Sequence, residues 1–185
     1  MSRHANVARL AVPVSDRDHV AGPVDAPVTL VEYGDYECPY CGRAFPIVQE
    51  VRRRLGDRLR FVFRHFPLTQ IHEHAEHAAE AAEAAAAQGK FWPMHDWLYG
   101  HQQTLDDDAL LAGASEVGLD VERVRRELVE GTHRARVRDD FMSGIKSGVN
   151  GTPTFYINGV RHDADYDIAT LLAAIEQAGV AASHR

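Results

Sequence analysis

Val28-Thr29-Leu30-Val31-Glu32-Tyr33-Gly34-Asp35-Tyr36-Glu37-Cys38-Pro39-Tyr40-Cys41 is the stretch around which the chain is organised. It ends on both cysteines of a 185-residue protein. Residues 28–33 are short, apolar and β-branched, as a buried central strand requires. Residues 42–55 read as a helix carrying Phe45, Ile47, Val48, Val51 and Leu55 on one side, with Pro46 kinking it and Gly56 closing it. Cys38 is therefore expected at a helix N-terminus, where free backbone N–H groups and the helix dipole favour a thiolate. Pro39 suits the first helical position, because its missing N–H would have no helical partner. One turn brings Cys41 back towards Cys38, so the pair can close or open as a disulfide. Structural zinc needs about four ligands, usually two such pairs, and no second pair exists here. The pair reads as redox-active in preference to an inert dithiol or half a zinc site.

Composition narrows the field. The net charge is −7, and no basic stripe runs through the sequence, which argues against a nucleic-acid partner. Hydrophobic content of 45% and charge of 25% suit one globular domain able to bury its own core. No segment approaches the ~20 apolar residues of a membrane span. The opening residues lack the apolar run of a secretory leader, since Leu10-Ala11-Val12-Pro13-Val14 is short and broken by proline. The expected location is cytoplasmic, where a close cysteine pair is more often catalytic than structural.

Residues 1–9 are expected to form a tail, 11–14 an edge strand, and 15–27 a loop rich in Pro, Gly and Asp. Residues 59–64 read as a second strand, giving a βαβ unit with a right-handed crossover. After Pro67 the pattern turns helical: 75–87 with Glu76, Glu80 and Glu83 spaced along it, then 107–117, 121–129 capped by Asp120, and 132–147. Residues 154–157, the Asn158-Gly159 turn and 160–162 form a hairpin. A last helix, 168–178, starts at Asp167. The expected class is α/β, organised as an N-terminal tail and edge strand (1–27), a βαβ half with the active site (28–66), a helical insertion (67–148) and a ββα half (149–185).

That order, the C-x-x-C and Gly151-Thr152-Pro153-Thr154-Phe155 resemble the DsbA-like thioredoxin-fold oxidoreductases, over roughly residues 22–179. The resemblance implies a thioredoxin-like fold with inserted helices and thiol–disulfide exchange without metal or organic cofactor. It implies that Pro153 is the family's cis-proline facing the cysteines. Thr152 would pair its backbone with a substrate chain as an added strand. Pro39 and Tyr40 join Thr152 and Pro153 as expected substrate-binding residues, and Pro46 matches the kink proline. Glu32 matches the buried acid beneath the family's cysteines. It also stands out on its own, as a carboxylate interrupting an apolar strand, fit to take the proton of Cys41. Tyr40 replaces the histidine of the strongest oxidants, which points to a moderate potential.

Position makes Cys38 the nucleophile and Cys41 the resolving thiol. His72-Glu73-His74-Ala75-Glu76-His77 reads as a solvated helix start rather than a metal site, His65 as a structural histidine, and Phe91, Trp92 and Trp97 as core. The leading function is a thiol:disulfide oxidoreductase acting on protein or small-molecule disulfides. Glutathione, another thiol or a reductase would reset the pair. The alternatives are a glutathione-dependent isomerase or transferase of the same fold, and a non-catalytic peptide-binding or chaperone module.

Overall fold

A computed structural model describes residues 7–183. Its five strands are β1 (His19–Ala21), β2 (Val28–Gly34), β3 (Leu59–His65), β4 (Thr154–Ile157) and β5 (Val160–His162). They form one sheet in the order β1-β3-β2-β4-β5. Only β2 and β3 run parallel; the other neighbours are antiparallel. The parallel pair is linked by α1 (Pro39–Leu55), as a βαβ crossover demands. Between β3 and β4 come α2 (Ala75–Ala86), α3 (Phe91–Gly100), α4 (Asp107–Glu116), α5 (Val121–Glu130) and α6 (Arg134–Ser147), and α7 (Ile168–Ser183) follows β5.

Both sheet faces are covered, which is why the central strands read as continuous apolar runs. On β2, Leu30 faces a large core with Val48, Val51, Phe61, Phe63 and Leu171. Val31 and Tyr33 face a smaller one with Val62, Phe66 and Tyr156. The period of two puts Glu32 and Gly34 on the Leu30 side, the side that carries the cysteines. Burying each such apolar side chain contributes roughly 1.5–3 kcal/mol. Asn158 and Gly159 both have positive φ, 47° and 77°, so β4 and β5 join by the tight turn their sequence indicates.

The N-terminal expectations need correction. Residues 11–14 form no strand; β1 lies further on, inside the stretch read as a loop. The carbonyls of Val12 and Pro13 instead accept hydrogen bonds from the guanidinium of Arg64, at 2.9 and 3.0 Å. Arg64 is buried with Asp18, and these backbone oxygens and the Tyr33 hydroxyl fill its remaining donor positions. Residues 1–6 of the expected tail lie outside the described residues. Further along, Leu10 N–H donates to Gly159 O and Arg161 N–H to Ala8 O, so this segment lies along β5. The helix expected from 132 begins at Arg134, because Gly131 ends α5 in the left-handed region.

Candidate active site around Cys38 and Cys41

Sheet and helix meet at the cysteines. β2 ends at Gly34, where a Cβ would fall 2.5 Å from the Phe63 ring and 2.9 Å from the Tyr99 hydroxyl, so only glycine fits. The next residue, Asp35, is buried and shapes the loop. Its carbonyl accepts from Cys38 N–H at 3.1 Å. One carboxylate oxygen accepts from Glu37 N–H, and the other from Leu68 N–H and the His72 ring. Gln102, which follows α3, donates its amide to the carbonyls of Tyr36 and Cys38, at 2.8 and 2.9 Å. Cys38 then takes an extended conformation as the helix N-cap, Pro39 begins α1, and Gly42 N–H bonds Cys38 O.

Across from this turn, the Thr152–Pro153 peptide is cis. The Cys38 thiol points at Thr152 O, 3.4 Å away. The fold thus sets residue 38 against residue 152, as the sequence resemblance implied. Tyr40 is 55% exposed beside the sulfur, with the Arg43 guanidinium 4.3 Å over its ring. Cys38 itself is 3% exposed and Cys41 wholly covered, so the outer thiol is far less open than its position suggested. Both are free thiols here.

The electrostatics separate the two sulfurs. A hydrogen bond from the Cys41 thiol, then the Thr152 hydroxyl and the N–H groups of Cys41 and Tyr40, lower Cys38 to about 5 against the opposing effect of burial. Thr152 Oγ1 is buried with no hydrogen-bond partner in the resting geometry, so its hydroxyl is free to turn to the sulfur. Cys41 moves the other way: burial, then its bond to Cys38, pushes its thiol well above the ordinary value. Glu32 is 2% exposed, and one carboxyl oxygen has no hydrogen-bond partner. Burial, then the negative charge at Cys38, raises it to about 8. The arrangement can hold a thiolate, a neighbouring thiol and a carboxyl that changes charge near neutral pH.

Other expected features fall elsewhere. His77 pairs with Asp107, and His74 bonds through its backbone, its N–H to Glu37 and its carbonyl from Ala78 N–H. Phe91 is buried, Trp92 and Trp97 partly so, all packed with the main core. Asp35, Tyr99 and Gln102 carry no role in the sequence reading, and His72, expected on a solvated helix start, instead lies before that helix with its ring bonded to buried Asp35. Asp35 carried a weak signal, an acid just before a helix start; the rest come from the helical insertion and its approaches, where no local pattern marks them.

The thioredoxin family (Thioredoxin_4) matches residues 14–177. A Na(+)/H(+) antiporter NhaA 1 of Salinispora arenicola (strain CNS-205) is 50% identical over 170 residues, 91% of this chain and 26% of that protein. The chain thus spans about a quarter of such curated relatives. A thioredoxin-like oxidoreductase from Silicibacter pomeroyi DSS-3 superposes with a TM-score of 0.79 at 32% identity, covering 89% of this chain and 93% of the other. Oxidised BdbD from Bacillus subtilis superposes with a TM-score of 0.81 at 28% identity, over 95% and 100%.

Proposed function

The chain belongs to the thioredoxin family, in the DsbA-like form with helices inserted between the two halves of the sheet, and on that premise we propose that Cys38 and Cys41 perform its thiol–disulfide exchange. The observation that carries this reading is the opposite displacement of two adjacent thiols, Cys38 down to about 5 and Cys41 well up. At neutral pH Cys38 is a thiolate and Cys41 keeps its proton. The Cys38 thiolate attacks one sulfur of a substrate disulfide. That S–S bond breaks, and the other sulfur leaves as a thiolate. Glu32 then takes the proton of Cys41, whose sulfur attacks Cys38 and expels the second substrate thiolate. Two electrons have passed to the substrate, and the protein holds a Cys38–Cys41 disulfide. Every step runs equally in reverse. A base with a pKa near the working pH suits proton traffic in both directions, and Glu32 at about 8 meets that condition.

Tyr40, Pro39, Thr152 and Pro153 would border the substrate. Retention of two thiols favours exchange over transferase chemistry on a single nucleophile. The antiporter name describes proteins of which the chain matches about a quarter, and no described helix is long and apolar enough to cross a membrane.

Trapping tests it. Cys41→Ala should accumulate mixed disulfides that vanish with dithiothreitol, and Cys38→Ala should capture almost nothing, since the remaining thiol is buried and protonated. Equal capture by the two variants on non-reducing gels would overturn the assigned roles.

A further inference from the structure

A second cluster lies behind the active-site loop. The pairing of β1 with β3 sets His19 opposite Phe63, and His65 lies two residues further along β3. Opposed residues share a face, as do residues two apart, so both imidazoles stand under α2. Glu83 of α2 reaches between them. Its Oε1 accepts from the Nε2 atoms of His19 and His65, at 2.6 and 2.7 Å. The three ligating atoms lie within 4.8 Å of one another. The side chains of His65 and Glu83 are 1% and 7% exposed, and that of His19 is 14% exposed, leaving one route in from solvent.

We propose that His19, His65 and Glu83 form a binding site for one divalent transition-metal ion, with zinc the best fit to the donor set. Two imidazoles and a carboxylate are a known three-ligand zinc set, with the fourth position left to water. Nitrogen donors disfavour calcium and magnesium, which take oxygen ligands. Four-coordinate zinc binds such atoms at about 2.0–2.2 Å, which spaces neighbouring ligands about 3.3 Å apart. The two contacts to Glu83 are shorter than that by about 0.6 Å and all three ligand atoms lie within 4.8 Å, so modest side-chain shifts admit the ion.

The proton inventory also permits it. His65 Nδ1 is buried and has no hydrogen-bond partner, so the bond to Glu83 alone holds the ring proton on Nε2. Moving that proton from Nε2 to Nδ1 frees the Nε2 lone pair and breaks no second bond. Burial opposes the charge on Glu83, but the bonds from both histidines outweigh it and hold the group as a carboxylate below its usual range. Phe91 stacks on the His19 ring at 3.6 Å and steadies it. Arg136, the nearby guanidinium, is already paired with Asp140. A bound ion would tie a three-residue edge strand and β3 to the inserted helices.

The experiment uses the full chain with Cys38→Ser and Cys41→Ser, so that thiols cannot bind the probe. Co2+ is titrated in and read by absorbance, and Zn2+ by displacement and by the shift in melting temperature. One Co2+ per chain with the intense visible bands of a four-coordinate ion, no thiolate charge-transfer band, and a Tm rise that saturates at one equivalent of Zn2+ is the expected result. Glu83→Gln and His19→Asn should each weaken binding by more than the about 10–100-fold typical of outer-shell changes. Because Glu83→Gln removes a buried anchor, its fold is checked by circular dichroism. His19→Asn, at the sheet edge, carries the test if Glu83→Gln unfolds. Absence of stoichiometric binding at micromolar Zn2+, or binding that survives in His19→Asn, would show only a hydrogen-bonded trio and overturn the proposal.

Discussion

Glu32→Gln separates a working carboxyl from a merely buried one by the way stability depends on pH. The carboxyl is fully covered and lies at about 8 in the fold, against 4.5 in a free chain. Below pH 4.5 it is protonated in both states and does not affect folding. Between 4.5 and 8 the unfolded chain gives up the proton and the native one keeps it, so this group lowers stability as pH rises. From pH 4.5 to 6.5 the loss integrates to about 2 kcal/mol, which is about 4–8 °C in Tm for a domain of this size. Cys38 acts in the opposite sense: its folded value lies below the free one of 9.0, so it adds stability with pH from about 5 upwards. The comparison is therefore made in a Cys38→Ser background, where burial, the larger cause, still holds Glu32 up. Thermal melts of that protein with and without Glu32→Gln should diverge with rising pH, the glutamine variant becoming relatively more stable. A buried amide costs the same at every pH, so the pH-dependent part isolates the ionisation. A difference that stays constant from pH 4.5 to 6.5 would mean that Glu32 titrates normally, and its role as proton acceptor would fall.

Alkylation of Cys38 by iodoacetamide should show a midpoint near pH 5 rather than 9, and Thr152→Val, which removes the hydroxyl near the sulfur but keeps the backbone carbonyl, should move that midpoint up; an unmoved midpoint would show that the hydroxyl does not act on Cys38. The reduction potential should lie at roughly −200 to −230 mV, because Tyr40 replaces the histidine of the strongest oxidants, and equilibration with glutathione that gives about −120 mV would refute this. Arg64→Met should cost about 3–5 kcal/mol in urea unfolding by leaving Asp18 charged and buried; adding Asp18→Leu should recover most of it, and failure to recover would mean that the loss comes from the carbonyls of Val12 and Pro13 and the Tyr33 hydroxyl.

Features set by local chemistry were legible in the sequence. β2, the start of α1 at Pro39, the Asn158-Gly159 turn and the Asp120 cap all depend on residues a few positions apart, and the structure places them as read. The edge strand was misplaced because a buried guanidinium, over 50 residues away, claims the backbone carbonyls that a strand at 11–14 would have used. Glu83 looked like one of three acids on an alanine-rich helix. Only the packing of α2 against β1 and β3 shows that it faces inwards to two histidines. Gln102 was equally silent: its amide matters because α3 ends over the loop at Tyr36. A sequence pattern reports which face an element hides, but not which buried polar group on that face will meet which other.

The three ionisable groups of the proposed site also explain why capture leads on to resolution. In the dithiol form, charge at Cys38 helps to hold Glu32 up, and the bond between the sulfurs holds Cys41 up. Both effects keep the second thiol protonated while the first waits for substrate. In the proposed cycle, forming the mixed disulfide turns Cys38 into an uncharged disulfide sulfur. The thiolate that raised Glu32 is gone, so its pKa falls and a larger fraction becomes carboxylate at neutral pH. The thiolate that accepted the hydrogen bond from the Cys41 thiol is gone as well, so that thiol becomes easier to ionise. The base strengthens its hold on charge, and the acid loosens its hold on the proton, in the same event. Burial, which raises both groups throughout, keeps these changes large by excluding water that would screen them. In the proposed reaction the strand acid, the helix-start thiolate and the inner thiol therefore act as one unit, in which attack by the first sulfur prepares attack by the second.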